Sequence, residues 1–571
     1  MTTGPSYPVP KHDASRVADF DARNVLIYDT TLRDGTQGEG MNVTARDKFR
    51  IARRLDELGV AFIEGGWPGS NPKDAEFFRM ARDVEWQHST ITAFGATRRA
   101  RVSPDEDPSI RALVDSGVRV CTLFGKTWTL HVTDVLRIPL EDNLKMIEES
   151  VGYLRSVGRR VVYDAEHFFD GYAADPSYAL ETLRAAMRGG AEVLALCDTN
   201  GGGLPWTIEK AVSEVRQALQ HPLGIHVHND SGCAVANSLA AIRAGARHLQ
   251  GTINGYGERC GNANLSVLIP NLELKQELRA LPEGKLVELG ELSRFVAEVA
   301  NLKLDEAMPY VGRSAFAHKG GVHVSAMRRN ASSYQHVDPA LVGNTMRVLV
   351  SELSGRANLL SKAEEMGETL KGDFDEGQVL MAIKEAEARG MSYEGAEASV
   401  VMMMRRQRAD YAAPFQILDY KAEVGRRQGT STFAEAMVKL RVGDEVMHTA
   451  AEGAGPVSAL DGALRKAIAP LYPAVAHIHL ADYKVRILDG SEGANSVTRV
   501  LIDFRNDSES WSTAGASTNI IEASLEAVVD GLEYGLLKAG AVPRALDPED
   551  VLVKSVLGRA SDAPPPSVPR A

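Results

Sequence analysis

The segment His226-Val227-His228-Asn229-Asp230 carries two imidazoles one residue apart. On an extended strand alternate side chains share a face, so His226 and His228 project to the same side and can chelate one cation. An H-x-H pair alone is equally compatible with two incidental histidines; its place at the end of a β-rich run and before a Gly/Ala-rich helix favours chelation. A carboxylate is available after the first β-rich run, in Asp29-Thr30-Thr31-Leu32-Arg33-Asp34-Gly35. Taken alone, Arg33 and Asp34 read as a surface ion pair. If the first and seventh strands lie close together around an eight-stranded barrel, Asp34 completes a two-His, one-carboxylate divalent site, with Arg33 beside it facing an anionic substrate. A third segment, Gly255-Tyr256-Gly257-Glu258-Arg259-Cys260-Gly261-Asn262, looks like a dinucleotide loop. It has one residue too many between its last two glycines and follows the eighth strand, not a first βα turn. It reads instead as a tight loop presenting Asn262 to a metal or ligand.

The elements that must position these residues follow from periodicity. Strand-like runs begin at Val25, Val60, Thr90, Val118, Arg160, Glu192, Gly224 and His248, separated by segments with apolar residues at three- and four-residue spacing, several ending in Gly. Eight such units in about 250 residues match a (β/α)8 TIM barrel, with a doubly wound open sheet as the alternative. The unusual polar words all fall just after the strands, where a parallel α/β architecture places its site. The expected division is a flexible tail at 1–23, a catalytic barrel at 24–281 and mostly helical linker subdomains at 282–427, interrupted by the irregular stretch Ala-Phe-Ala-His-Lys-Gly-Gly-Val-His-Val-Ser-Ala. A C-terminal α+β domain at 428–558 and a disordered Pro-rich tail at 559–571 complete it. The α+β domain contains an internal repeat: small-residue turns at Gly453–Gly455 and Gly515–Ser517 each lead into an amphipathic helix. Gly453 aligns with Gly515 at a spacing of 62 residues.

Bulk properties exclude some classes. The 571 residues carry a net charge of −12, which disfavours a nucleic-acid partner because phosphate backbones demand a basic footprint. No run is long and apolar enough for a membrane span and the first residues lack the pattern of a signal peptide, so a cytoplasmic protein with no membrane partner is expected. Cys121, Cys197, Cys233 and Cys260 form no C-x-x-C pair and read as buried free thiols in a reducing compartment.

The words Asp-Thr-Thr-Leu-Arg-Asp-Gly, His-Val-His-Asn-Asp and Gly-Glu-Arg-Cys-Gly-Asn, in this order and spacing, resemble the family of isopropylmalate, homocitrate and citramalate synthases, with hydroxymethylglutaryl-CoA lyase a more distant relative. The resemblance covers nearly the whole chain. The segments beginning at Ile63, Leu123 and Tyr163 resemble the long bacterial citramalate branch. The resemblance implies a Claisen-type condensation of acetyl-CoA with a small 2-oxo acid, pyruvate in that branch, on a route to isoleucine. It implies metal ligands Asp34, His226 and His228, with Asn262 in or next to the coordination sphere of magnesium, manganese or zinc. Arg33 is implied to stabilise enolate or alkoxide oxygen, Thr199 to contact the oxo-acid carboxylate, Glu166 and His323 to deprotonate acetyl-CoA, and Tyr334 to serve later steps. Trp67, Phe94 and Phe124 are the expected pocket walls. The family further implies a homodimer or larger homo-oligomer, with His323 supplied to the partner's barrel. It implies a C-terminal module whose turns at Gly453, Gly455, Gly515 and Ser517 bind isoleucine as feedback inhibitor, or leucine if the product is isopropylmalate. The competing readings are an isopropylmalate synthase using 2-oxoisovalerate, a retro-aldol lyase and a non-catalytic metabolite sensor.

Overall fold

Eight short, largely buried runs pair side by side and close on themselves in the computed structural model, which describes residues 4, 6–13, 23–350, 376–408, 411–426, 432–488, 493 and 495–543. They are β1 (Leu26–Asp29), β2 (Phe62–Glu64), β3 (Thr90–Ala96), β4 (Val120–Lys126), β5 (Arg160–Glu166), β6 (Val193–Asp198), β7 (Leu223–Val227) and β8 (His248–Gly251). All neighbours are parallel and β8 pairs with β1, so the barrel reading holds and the open sheet does not. Helices connect successive strands, and their ends follow local chemistry. The helix Ala45–Leu58 starts at a Thr44–Asp47 capping box and stops at Gly59, whose φ of 97° a side chain would resist.

The inward faces are layered by the strand period of two. A lower layer of Tyr28, Phe62, Val120, Val162, Val193 and Ala195 fills the barrel. One step up each strand, Glu64, Thr92, Thr122, Asp164, His226 and Gln250 form a buried polar layer. Apolar outer faces pack against the helices in a separate cluster that includes Ile63, Leu123, Leu196 and Ile225. The barrel therefore carries an apolar plug beneath a polar floor.

The chain divides into two compact units, Met1–Phe316 with Gln335–Met346, and Ala317–Tyr334 with Arg347–Ala571. Several expectations are corrected. Part of the supposed flexible tail is anchored: Tyr7 and Pro10 are buried, and the Tyr7 hydroxyl donates to the Phe78 carbonyl at 2.7 Å. The irregular stretch around His323 contains a helix, Gly321–Arg329. The first strand of the C-terminal domain, Gln416–Arg426, lies upstream of the boundary drawn at 428, because its long alternating run pairs antiparallel with Thr432–Val442. Cys260 is exposed, in a loop at the barrel mouth, and Cys233 is half-buried; Cys121 and Cys197 are buried as expected. The Pro-rich tail lies outside the described residues.

Within the second unit the repeat is real. Three-stranded sheets, Gln416–Arg426 with Thr432–Val442 and Glu445–Gly453, then His479–Ile487 with Thr498–Arg505 and Ser510–Ser517, each lead into a helix, Pro456–Ile468 or Ile520–Lys538. Both helices bury their apolar faces in one core. The spacing is corrected from 62 to 64: Thr449 donates to the Ala463 carbonyl and Thr513 to the Ala527 carbonyl, each at 2.7 Å. Gly515 is thus equivalent to Ala451, and Gly453 to Ser517. Gly515–Ser517 is the end of a strand, not a turn.

Candidate active site

The strand ends deliver the site. β7 ends at Val227, and His226 and His228, on its inward face, bring their Nε2 atoms to 3.3 Å from one another. The turn after β1 places Asp34 Oδ2 3.3 Å from His226 Nε2 and 3.8 Å from His228 Nε2. Ligand atoms held about 2.1 Å from a cation stand about 3.0–3.4 Å apart when adjacent, so the three converge at nearly the spacing a divalent ion requires. They are the group of metal-binding character found among the described residues. Asn262 offers a fourth candidate ligand atom, its amide oxygen. Its Nδ2 donates to the Tyr256 carbonyl at 3.3 Å, while its Oδ1 is buried without a partner. Gly257 permits this approach, since a Cβ there would stand 2.2 Å from Asn262 Nδ2.

The electrostatics suit a cation. Burial alone would raise the Asp34 carboxyl, but Arg33 and His226 outweigh it and hold it well below the usual carboxylate range. Burial would lower His226, yet Asp34 raises it; the charge that draws a proton there would also draw a metal. Burial and the His226 charge push His228 down to about 4, leaving it neutral with a lone pair to offer.

Arg33 is fixed from below. Its Nε lies 2.6 Å from Glu64 Oε2, its Nη1 3.3 Å from Asp34 Oδ2, and its guanidinium 3.8 Å from the centre of the Phe94 ring. Glu64 Oε1 accepts from the Tyr28 hydroxyl at 2.7 Å, and that phenol oxygen lies within 2.8 Å of Thr92 Oγ1 and 2.6 Å of Thr122 Oγ1. Burial would lower the Arg33 guanidinium; Asp34 and Glu64 outweigh it and keep it cationic.

A cavity of about 200 Å³ opens above these groups, lined by Arg33, Asp34, Asp164, Glu166, Thr199, His226 and His228 and walled by Trp67, Phe94 and Phe124. It is smaller than the roughly 300–1,000 Å³ pockets that take drug-sized ligands. The Phe94 and Phe124 rings stack at 5.3 Å, and Trp67 meets both edge-on at 5.8 and 5.6 Å. Thr199 Oγ1 accepts from the His167 amide at 2.8 Å, leaving its hydroxyl proton free to donate. On the rim Arg259 grips Asp230 at 2.8 and 2.9 Å and the Thr199 carbonyl at 2.7 Å. Such an arrangement can seat a small α-oxo carboxylate against a metal, two donors and an apolar wall.

Of the residues singled out in the sequence, Arg33, Asp34, Glu166, Thr199, His226 and His228 line this cavity, with Asn262 adjoining His228 through a backbone bridge. Glu166 pairs with Lys126. His323 and Tyr334 lie in the other compact unit, exposed, their rings stacked at 4.1 Å. Glu64, Lys126, Asp164 and Gln250 went unnoticed in the sequence; their signal was period-two parity with their strand neighbours.

In the second unit a cavity of about 560 Å³ includes Arg389, Arg406, Tyr420, Ser517, Glu526 and Asp530 in its lining. Ser517 is at this cavity, but Gly453, Gly455 and Gly515 do not line it. A Cβ on Gly453 would stand 2.4 Å from the Ala459 amide and one on Gly515 2.0 Å from the Ala523 carbonyl, so these two glycines admit the helix that follows rather than a ligand.

Comparison with known proteins adds the following. Residues 24–296 match an HMGL-like domain, 310–390 a homocitrate synthase post-HMGL domain-like region, and 394–536 a LeuA allosteric (dimerisation) domain. The chain is 50% identical to the (R)-citramalate synthase of Geobacter sulfurreducens over 90% of its own length and 98% of that protein. It is 50% identical to the (R)-citramalate synthase of Synechocystis sp., covering 90% and 96%. Against the 2-isopropylmalate synthase of Methanocaldococcus jannaschii the identity is 29%, covering 90% and 95%.

Proposed function

The chain belongs to the (R)-citramalate synthase family, and on that premise we propose that it condenses acetyl-CoA with pyruvate and water to give (R)-citramalate and CoA. The observation that carries the reading is the 50% identity to (R)-citramalate synthases over 90% of the chain, against 29% to an isopropylmalate synthase. The small aromatic-walled cavity agrees with a methyl group as the acceptor's side chain.

The residues divide the work. Asp34, His226, His228 and Asn262 would hold a divalent ion, magnesium, manganese or zinc, which when bound supplies Lewis-acid polarisation of the acceptor carbonyl. Thr199 donates to the pyruvate carboxylate. Trp67, Phe94 and Phe124 receive its methyl group. Arg33, held rigid by Glu64, lies where negative oxygen develops as the new carbon–carbon bond forms, so its charge need not reorganise. His323 takes the proton from the acetyl methyl and Tyr334, stacked on it, serves the later hydrolysis. Glu166, held by Lys126, orients the proton-transfer machinery. Because His323 and Tyr334 belong to a unit other than the barrel, and residues 394–536 match a dimerisation domain, we assign the active form as a homodimer or higher oligomer whose subunits complete one another's sites.

The second-unit cavity mixes arginines, carboxylates and aliphatic walls, a lining that fits an aliphatic α-amino acid, and isoleucine is the effector we assign to it. The test is incubation of the protein with acetyl-CoA and pyruvate, with the product resolved by chiral chromatography and CoA counted as free thiol. (R)-Citramalate and CoA in equal amounts are expected, and isoleucine should slow the reaction where leucine does not. CoA release without citramalate contradicts the function. Indifference to both amino acids leaves the C-terminal module structural.

A further inference from the structure

Beneath the proposed metal centre a buried amide decides which nitrogen of His226 is free. Gln250 is fully buried, on the inward face of β8. Its Oε1 lies 3.0 Å from His226 Nδ1. Its Nε2 donates to Asp164 Oδ1 at 2.8 Å and lies 3.4 Å from His248 Nε2. We infer that Asp164 and Gln250 form a positioning relay in which the Asp164 carboxylate fixes the Gln250 amide and the amide fixes the tautomer of His226, so that His226 Nε2 carries its lone pair toward the cation.

The geometry forces the direction of the relay. The amide nitrogen of Gln250 faces Asp164 Oδ1, and although burial pushes that carboxyl up to about 7, an oxygen without the acid proton accepts in either state. Burial pushes His248 down to about 3, so that ring is neutral and can accept the second amide proton. Both N–H groups of Gln250 are then directed at acceptors, and only its oxygen remains for His226. An oxygen facing His226 Nδ1 demands a proton on Nδ1, which leaves Nε2 unprotonated. That Nε2 points at Asp34 Oδ2 and His228 Nε2, each 3.3 Å away. Rotating the amide by half a turn would set Oε1 against the Asp164 oxygen and an N–H against His226. It would also move the imidazole proton to Nε2, into the space a cation needs. Gln250 and His248 are fully buried, and Asp164 and His226 are only 3% and 6% exposed, at the floor of the cavity, so such a mismatch would find little relief.

The inference rests on the metal-centre reading, and the experiment separates the two. Full-length protein stripped of metal is titrated with manganese by calorimetry, with circular dichroism confirming that each variant is folded. Gln250→Leu should weaken manganese binding by about 10–100-fold, the usual effect of losing an outer partner of a ligating histidine. Asp164→Leu should weaken it less, and Asp164→Leu combined with Gln250→Leu should be no weaker than Gln250→Leu alone, because the first residue acts only through the second. The exchange Asp164→Asn with Gln250→Glu reverses the relay's donor and acceptor and still offers His226 an acceptor, so it should recover most of the affinity. Wild-type affinity in Gln250→Leu, additive losses in the double leucine variant, or no recovery in the exchanged pair would each overturn the relay. Wild-type protein that takes up no manganese would overturn the metal centre itself, and the relay with it.

Discussion

Arg33 shows how a charge is made useful by what lies beneath it. A lone arginine at a barrel mouth would sample many rotamers, whereas here Glu64 takes its Nε at 2.6 Å and Phe94 covers its face at 3.8 Å. Glu64 in turn is held by Tyr28 at 2.7 Å. Glu64→Gln keeps the shape but removes the charge that fixes the guanidinium. It should lower kcat/KM by about 100-fold, the scale of a displaced catalytic group. The loss should fall mainly on kcat, and the unfolding midpoint should shift little. A variant with wild-type kcat would show that Glu64 does not position Arg33. The candidate ligands Asp34, His226 and His228 were legible in the sequence because they stand in polar words after strands. Glu64, Asp164 and Gln250 were not, because each lies inside a strand whose neighbours are apolar, as in Phe62-Ile63-Glu64. Only the pairing of strands reveals that Glu64, Thr92 and Thr122 form one buried layer around Tyr28.

At the scale of elements, periodicity located all eight barrel strands, because parallel strands buried on both faces read as short apolar runs. The C-terminal repeat was harder. Matching glycine to glycine misplaced the register by two residues, since small residues recur at different depths of the two copies of the repeat. The crossing of strand and helix explains the difference. In the first copy of the repeat Ala451 faces Gly462, where an added Cβ would lie 3.3 Å from the Ala451 Cβ; in the second copy Gly515 faces Glu526, whose Cβ would lie 3.1 Å from a Cβ on Gly515. The small residue has moved from helix to strand while the space stays constant. Gly515→Ala should therefore force the helix Ile520–Lys538 outward, because its methyl would stand 2.0 Å from the Ala523 carbonyl oxygen. A loss of about 1–3 kcal/mol is expected in the urea unfolding of the C-terminal domain. An unchanged midpoint would mean that the strand and helix can part without cost.

At the scale of the whole molecule, the sequence placed a barrel first and a repeat-bearing module last, and the family matches at 24–296 and 394–536 divide the chain in the same way. The sequence had set His323 and Tyr334 beyond the barrel, in the region 282–427; what its pattern could not convey is that this region divides, Ala317–Tyr334 going with the second unit and the residues up to Phe316 with the barrel, since a short helix in an exposed stretch carries little periodic signal. If subunits complete one another's sites, mixing inactive Arg33→Ala chains with inactive His323→Ala chains should restore activity, because some hybrid sites draw both intact residues from different chains. Activity that stays absent after subunit exchange has been verified would place both residues in the same subunit's site. Among the described residues no helix is long and apolar enough to cross a membrane.

The choice of acceptor tests the account as a whole, because it joins the family assignment to the dimensions of the cavity. The measurement is kcat/KM for CoA release with pyruvate, 2-oxobutyrate, 2-oxoisovalerate and 2-oxoglutarate under saturating acetyl-CoA. Trp67, Phe94 and Phe124 close a cavity of about 200 Å³, so pyruvate should be preferred and 2-oxoisovalerate disfavoured by about 10–200-fold, the range that one or two extra carbons command in an apolar pocket. A higher kcat/KM for 2-oxoisovalerate than for pyruvate would contradict it.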